Sequence, residues 1–369
     1  MHTMRRRRGG AAITVLAMAA GLAAAETASA QDAVIEKNYG LTQFRPAAGT
    51  YSNMVVDASD AQFTIANSKN EHPTWSADCT VGSLPVNHYP LNLDKQPGIT
   101  FLGGTVNSQV PQTSEWRPTY CNSSAVIVLS SNDATVDGVR VVGSWDGVRF
   151  SRDSNHFRLA NAWLTDVRDD CLENDQLRSG RIEDVLFDGC FVGISTDPGG
   201  SSTVPSEEHN HTVVMDRVLM RMQSYPFRKS SSDPLQNTHG HIFKGESRAP
   251  SFEITNSVFA YEADPFMSDA RLTLILDRTK RCENNEVLWL SDEPLPAFFD
   301  HFPSSCFTIR QGQAAHDAWQ EARRDWIDCH PDNIRTADDD ASVPAQCSRS
   351  GGAPQTALPN PPTELTVSD

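Results

Sequence analysis

The chain has 369 residues, with 47 acidic against 31 basic side chains and a formal net charge of −16. An anionic surface of this kind excludes nucleic acid and acidic membranes as natural partners. The length suffices for one elongated domain with a continuous core, or for two compact ones.

Residues 1–30 read as a secretory signal peptide. Arg5 to Arg8 form a positive n-region, Ala11 to Ala25 an apolar h-region and Ala28-Ser29-Ala30 a cleavage site. The arginine run keeps twin-arginine export open as a second route. Removing these residues takes away four Arg and one Glu, a net +3, and brings −16 to −19. With no other long apolar run, the mature chain is expected to be secreted or periplasmic, a monomer with no membrane partner. Eight cysteines in an exported chain imply disulfides. Local spacing pairs Cys79 with Cys121, Cys282 with Cys306 and Cys329 with Cys347. Cys171 and Cys190 read as buried thiols, because Cys171 falls where Val148 and Ile194 stack inward. No C-x-x-C spacing supports zinc.

Residues 31–95, rich in Asn, Ser, Asp and Pro, read as an N-terminal cap with weak strands such as Gln62 to Ile65. Residues 96–300 read as a solenoid. Val136-Asp137-Gly138-Val139-Arg140-Val141, Leu159 to Leu164 and Ile182 to Phe187 are copies of one strand pattern, 23 residues apart. Apolar residues fill positions one, four and six; Gly138, Asn161 and Asp184 hold position three. Met215 to Met220 and Ile254 to Phe259 continue the pattern after insertions. The expected fold is all-β, a right-handed parallel β-helix with capped ends. Leu159, Ile182, Met215 and Ile254 should stack in one inward column, and Leu164, Phe187, Met220 and Phe259 in another. Residues 301–336 read as a C-terminal helical cap, with an amphipathic helix over Gln311 to Cys329, and residues 337–369 as a flexible tail.

The repeat also carries the chemistry. Trp145-Asp146-Gly147-Val148, Asp169-Asp170-Cys171-Leu172 and Phe191-Val192-Gly193-Ile194-Ser195, on successive coils, resemble the catalytic coils of polygalacturonase-type glycoside hydrolases in the pectin-lyase-like β-helix superfamily. The resemblance covers roughly residues 136–230 and is most specific at Asp-Asp-Cys. It implies a polysaccharide substrate and catalytic roles for Asp146, Asp169 and Asp170. Arg228 matches the family's last motif, with Lys229 displaced by one. Val192 stands where that family has a histidine, so His239 or His241 would have to reach in from a neighbouring loop.

A 23-residue period also stacks Asp146, Asp169 and Val192 in one column at about 4.8 Å per coil, with Asp170 beside it. Carboxylates this close raise one another's pKa, as a general acid requires. One protonates a glycosidic oxygen while another activates water; spacing near 5 Å suits a retaining pair, whereas the resembled family inverts. A second column runs through Asn174 and Asp197, beside Glu173 and Asp175. Asp170, Glu173, Asp175 and Asp197 could together hold Ca²⁺, as in a lyase or epimerase with a Lys, Arg or His base. Glu173, Asp197, Lys244 and Arg248 read as substrate-binding groups. The alternatives are therefore hydrolysis with no cofactor, Ca²⁺-dependent elimination, and carbohydrate binding without catalysis.

Overall fold

The computed structural model describes residues 33–65, 89–116, 119, 124–198, 211–228, 232–263 and 269–330. The expected signal peptide, the expected tail, Lys229 and the expected Cys79–Cys121 pairing lie outside the described residues. Among those described, 21 strands join one sheet in which every pairing is parallel, an arrangement compatible with an all-β solenoid. Two short strands, Tyr225–Phe227 and Gln236–Thr238, form a separate antiparallel pair.

The strands fall into three ladders because short runs of Val, Ile, Leu and Phe recur between turn residues. In the first ladder, Val56, Phe101, Val136, Leu159, Ile182, Met215 and Ile254 are successive partners. In the second, Phe63, Val106, Val141, Leu164, Phe187, Met220, Phe259 and Val287 are. Both expected columns therefore form, and all of these side chains are fully buried. Complete burial of such a side chain stabilises by about 1.5–3 kcal/mol. Leu91, Val126, Val148, Leu172, Ile194 and Phe243 make the corresponding column of the third ladder.

Position three of the repeat bends the chain between the first and second ladders. Gly138, Asn161, Asp184, Arg217, Asn256 and Asn284 all have φ between 48° and 73°. Gly tolerates this left-handed backbone, and Asn and Asp come next. The pairing begins well before residue 96, since Ala33–Val34, Val55–Asp57, Asn38–Gly40 and Gln62–Ile65 are already rungs of the first two ladders.

One irregularity alters the third ladder. The register between Trp163–Glu173 and Gly180–Thr196 shifts between Val167 and Asp170. The extra residue puts Val148 opposite Leu172 rather than Cys171. Cys171 is not a thiol stacked between Val148 and Ile194; it forms a disulfide with Cys190, inside the core. Cys282 pairs with Cys306 as expected. Cys329 is also disulfide-bonded, and its expected partner Cys347 lies outside the described residues.

Two α-helices pack on the ladders, α1 at Asp269–Leu276 and α2 at Gln313–Cys329. The sequence reading contained no helix at α1, whose Leu272 and Ile275 are buried in the main core. Helix α2 lies along a flank of the second ladder, where Trp163, Leu186, Leu219, Ala260 and Leu288 form an apolar stripe that Ala315, Trp319 and Trp326 cover. It starts beside the last strand, Phe307–Gln311, and its Trp326 reaches Trp163, 6.1 Å between ring centroids. Seventeen helical residues span about 25 Å. That equals five steps between neighbouring strands of about 4.8 Å.

Candidate active site

The third ladder brings the acidic residues together. With the bulge counted, the positions beside its core column read Asp146, Arg149 and Ser151 on one rung and Asp170, Glu173 and Asp175 on the next. The same register continues to Val192, Ser195 and Asp197, then to His241, Lys244 and Glu246. The columns expected from a strict 23-residue step are each displaced by one. Asp146 faces Asp170 rather than Asp169, and Asp197 faces Asp175 rather than Asn174. The cause is the single extra residue at Arg168–Asp169.

Asp146, Asp169 and Asp170 each offer an oxygen within 4.8 Å of the other two. Asp146 and Asp170 are 1% and 2% exposed, Asp169 partly so. Both oxygens of Asp146 are held: Arg149 donates to Oδ2 at 2.7 Å and the Asp170 amide to Oδ1 at 3.3 Å. Arg149 also ion-pairs Glu173 and donates to the Tyr89 hydroxyl at 3.2 Å. Lys244 reaches over Ser195 to donate to both oxygens of Asp170 at 3.3 Å. Asp175 accepts from the Ser195 hydroxyl and from the Asp197 amide, and Asp197 ion-pairs Arg271 of α1.

Six carboxylates (Asp146, Asp169, Asp170, Glu173, Asp175 and Asp197) thus share three cations (Arg149, Lys244 and Arg271). Burial in low dielectric disfavours the ionised form, and it raises the pKa of Asp169, Asp170, Glu173 and Asp175. Burial, and then the neighbouring Asp146 and Asp175, push Asp169 up to about 7. Burial, reinforced by Asp169, Asp146 and Asp175, lifts Asp170 well above the carboxylate range despite Lys244. Glu173 is raised the same way despite Arg149, and Asp175 despite Lys244. Burial works against the charge of Lys244, yet the carboxylates around it, Asp170 first, outweigh it and hold the ammonium protonated.

The other expected residues are distributed around this cluster. Arg228 is bonded to Glu115 at 2.9 Å, which ties the hairpin arm to the loop before residue 117. His239 is fully buried, with Nε2 at 3.0 Å from the Glu262 carbonyl and Nδ1 at 3.0 Å from that of Gly240. His241 occupies the rung after Val192. Burial first, then Arg271 and Lys244, push its imidazole down to about 4, so it is neutral. Arg248 bonds Glu246 in its own turn at 2.8 Å.

The proposed metal quartet does not assemble. Glu173 and Asp175, on one rung, are taken up by Arg149 and Ser195, and Asp197, on the next, by Arg271 of α1. Among the described residues the set with cation-binding spacing is Asp146, Asp169 and Asp170. Their oxygens suit a hard divalent ion. Two partners went unforeseen in the sequence, Arg149 and Arg271. Arg149 becomes visible once Val148, Leu172 and Ile194 are matched as the better apolar column, since that puts Arg149 opposite Glu173.

An aromatic wall adjoins the acids. Trp116 meets Trp145 at 4.5 Å and Phe227 at 5.3 Å, and Phe191 meets Phe227 at 5.1 Å. Trp145 precedes Asp146 and Phe191 precedes Val192, so wall and acids share rungs. No family model, no curated protein and no solved structure matches the chain.

Proposed function

We propose that the chain is a secreted right-handed parallel β-helix of the pectin-lyase-like kind that hydrolyses a polysaccharide at the Asp146, Asp169 and Asp170 cluster. The observation that carries this reading is the buried pair of Asp170 and Asp146: burial raises the pKa of Asp170, Lys244 bonds both its oxygens, and the oxygens of Asp146 are held by a guanidinium and an amide. Hydrolysis needs both states at once. A protonated acid gives its proton to the glycosidic oxygen, and an ionised carboxylate takes one from water. Asp170 fills the first role; Asp146, with Asp169, holds the water. Of the neighbouring rings Trp116 is partly exposed and suits the apolar face of a sugar, whereas Trp145, Phe191 and Phe227 are buried. Arg228 is engaged by Glu115; Arg149 and Lys244 are the cations bonded to the cluster itself, and Arg271 pairs with Asp197.

Calcium-assisted elimination is the second reading, favoured by the close oxygens of Asp146, Asp169 and Asp170. Elimination requires an unprotonated base. The carboxylates keep Lys244 charged, which leaves the neutral His241 as the candidate and ranks hydrolysis first.

The purified mature chain should be assayed on a glycan panel for new reducing ends and for ultraviolet absorbance, with and without chelator. Hydrolysis predicts reducing ends without an unsaturated chromophore, indifferent to chelator. Asp170→Asn should lower turnover by about 10² to 10⁴ in a chain that remains folded by circular dichroism, with a lower melting temperature because Lys244 loses its partner. A chelator-sensitive chromophore would replace hydrolysis with elimination, and binding without products would leave a lectin-like role.

A further inference from the structure

Among the described residues, Asp169 differs from the other five carboxylates of the cluster in that its side chain has no hydrogen-bond or ion-pair partner. The other five each accept from Arg149, Lys244, Arg271 or Ser195. Asp169 nonetheless offers an oxygen within 4.8 Å of Asp146 and Asp170. It is partly exposed where those two are buried, and its oxygens are not sealed from solvent.

A second feature points to the kind of molecule that reaches this carboxylate. The Asp169 amide donates to the Trp145 carbonyl at 2.8 Å, and the Trp145 ring meets the partly exposed ring of Trp116 at 4.5 Å. An indole with one face outward suits the apolar face of a pyranose. The charge of that sugar follows from what is already paired. A sugar carboxylate would have to take Arg149, Lys244 or Arg271 from its present acid, and stranding one member of a buried pair is strongly destabilising. It would also add like charge where burial and the neighbouring acids already hold Asp169 up at about 7. An ammonium does the reverse, because it offers three donors and no acceptor and brings a counter-charge to the carboxylate that lacks one.

On the reading of the Asp146, Asp169 and Asp170 cluster as a glycan-cleaving site, we propose that its substrate is an amino-sugar polymer with free amines, one ammonium pairing with Asp169. The partly exposed Trp116 ring then faces the sugar. Acetylation of the amine removes the charge, and a uronate reverses it.

The test takes the unaltered mature chain and soluble oligomers of glucosamine and of galactosamine, each before and after N-acetylation, with oligogalacturonate beside them. Ionic strength is kept physiological so that general attraction to the anionic chain is screened. New reducing ends and calorimetric binding are read separately. For one of the two sugars the free-amine form should be favoured about ten- to hundredfold over its acetylated counterpart, the scale of one hydrogen bond to a charged group. An oligolysine of equal charge should not compete. Asp169→Asn, which keeps the shape and loses the charge, should bring the two forms to equal affinity. Cleavage of oligogalacturonate or of the acetylated oligomers at least as fast as of the free amines would overturn the amino-sugar inference and leave hydrolysis standing. Amine-selective binding without new reducing ends would remove hydrolysis and leave the inference. Absence of both binding and cleavage with the free-amine oligomers would overturn it, as would an Asp169→Asn chain that keeps the full preference. Should that variant fail to fold, the paired oligomers on the unaltered chain decide alone.

Discussion

Asp169 joins three carboxyl groups and a lysine, and its proton is retained to about pH 7 because burial opposes the charge. A carboxyl whose pKa rises on folding makes the native state bind more protons. Its contribution to stability is therefore complete below about pH 4, the unfolded value, and is lost as pH climbs through 7. The loss is up to about 4 kcal/mol, and smaller where neighbouring groups share the titration. Denaturant melts of the unaltered chain should weaken between pH 4 and 8, and Asp169→Asn should flatten that slope. Arg149→Met acts in the opposite sense, since it strands Asp146 and Glu173 without their cation. It should cost about 3–5 kcal/mol at pH 7, read from the same denaturant melts. Arg217 is the position-three residue that is neither Gly, Asn nor Asp, at φ 54°. Left-handed backbone costs such a residue about 1–2 kcal/mol. Its exposed pairs with Asp184 and Asp216 return at most about 1 kcal/mol. Arg217→Asn should therefore raise stability by about 0.5–1 kcal/mol, read from urea midpoints.

At the level of elements, the strands were legible and their decorations were not. The columns through Leu159 and Leu164 follow from a 23-residue step because a one-residue slip would expose an entire apolar face. The acids Asp146, Asp169 and Asp170 were legible for the same reason. The bulge was hidden, because a single extra residue leaves the period intact on either side and shows only in the better match of Leu172 than Cys171 to Val148. Helix α2 was visible from its apolar spacing, but not its seat: the stripe from Trp163 to Leu288 is assembled from five distant segments. Trp319, 2% exposed in that stripe, should cost about 3–5 kcal/mol when changed to Ala. Glu321→Ala, on the exposed side of the helix, should change stability by less than about 0.5 kcal/mol.

Across the whole molecule, parallel rungs that contact mainly their neighbours make stability a sum of local terms. Hydrogen exchange should be slowest in Arg140–Ser144, Trp163–Glu173, Gly180–Thr196 and Thr212–Met222, which have partners on both sides, the second and third being also joined by the Cys171–Cys190 disulfide. It should be fastest in Ala33–Val34 and Asn38–Gly40, which among the described residues are paired on one side only. Uniform protection across these segments would mean one cooperative unit instead.

Helix α2 adds a constraint of another kind, because it is anchored at the last strand and again at Trp163 and so acts as a length gauge. Lengthening the stack beneath it by one rung, about 4.8 Å, calls for about three more helical residues. Three residues turn the helix by about 300°, which swings Trp319 and Trp326 away from their stripe. Two rungs with seven added residues fit better: about 10.5 Å of helix against about 9.6 Å of stack, with the face rotated by only about 20°. Under this helix, rungs should be gained or lost in pairs, each pair matched by one heptad of α2.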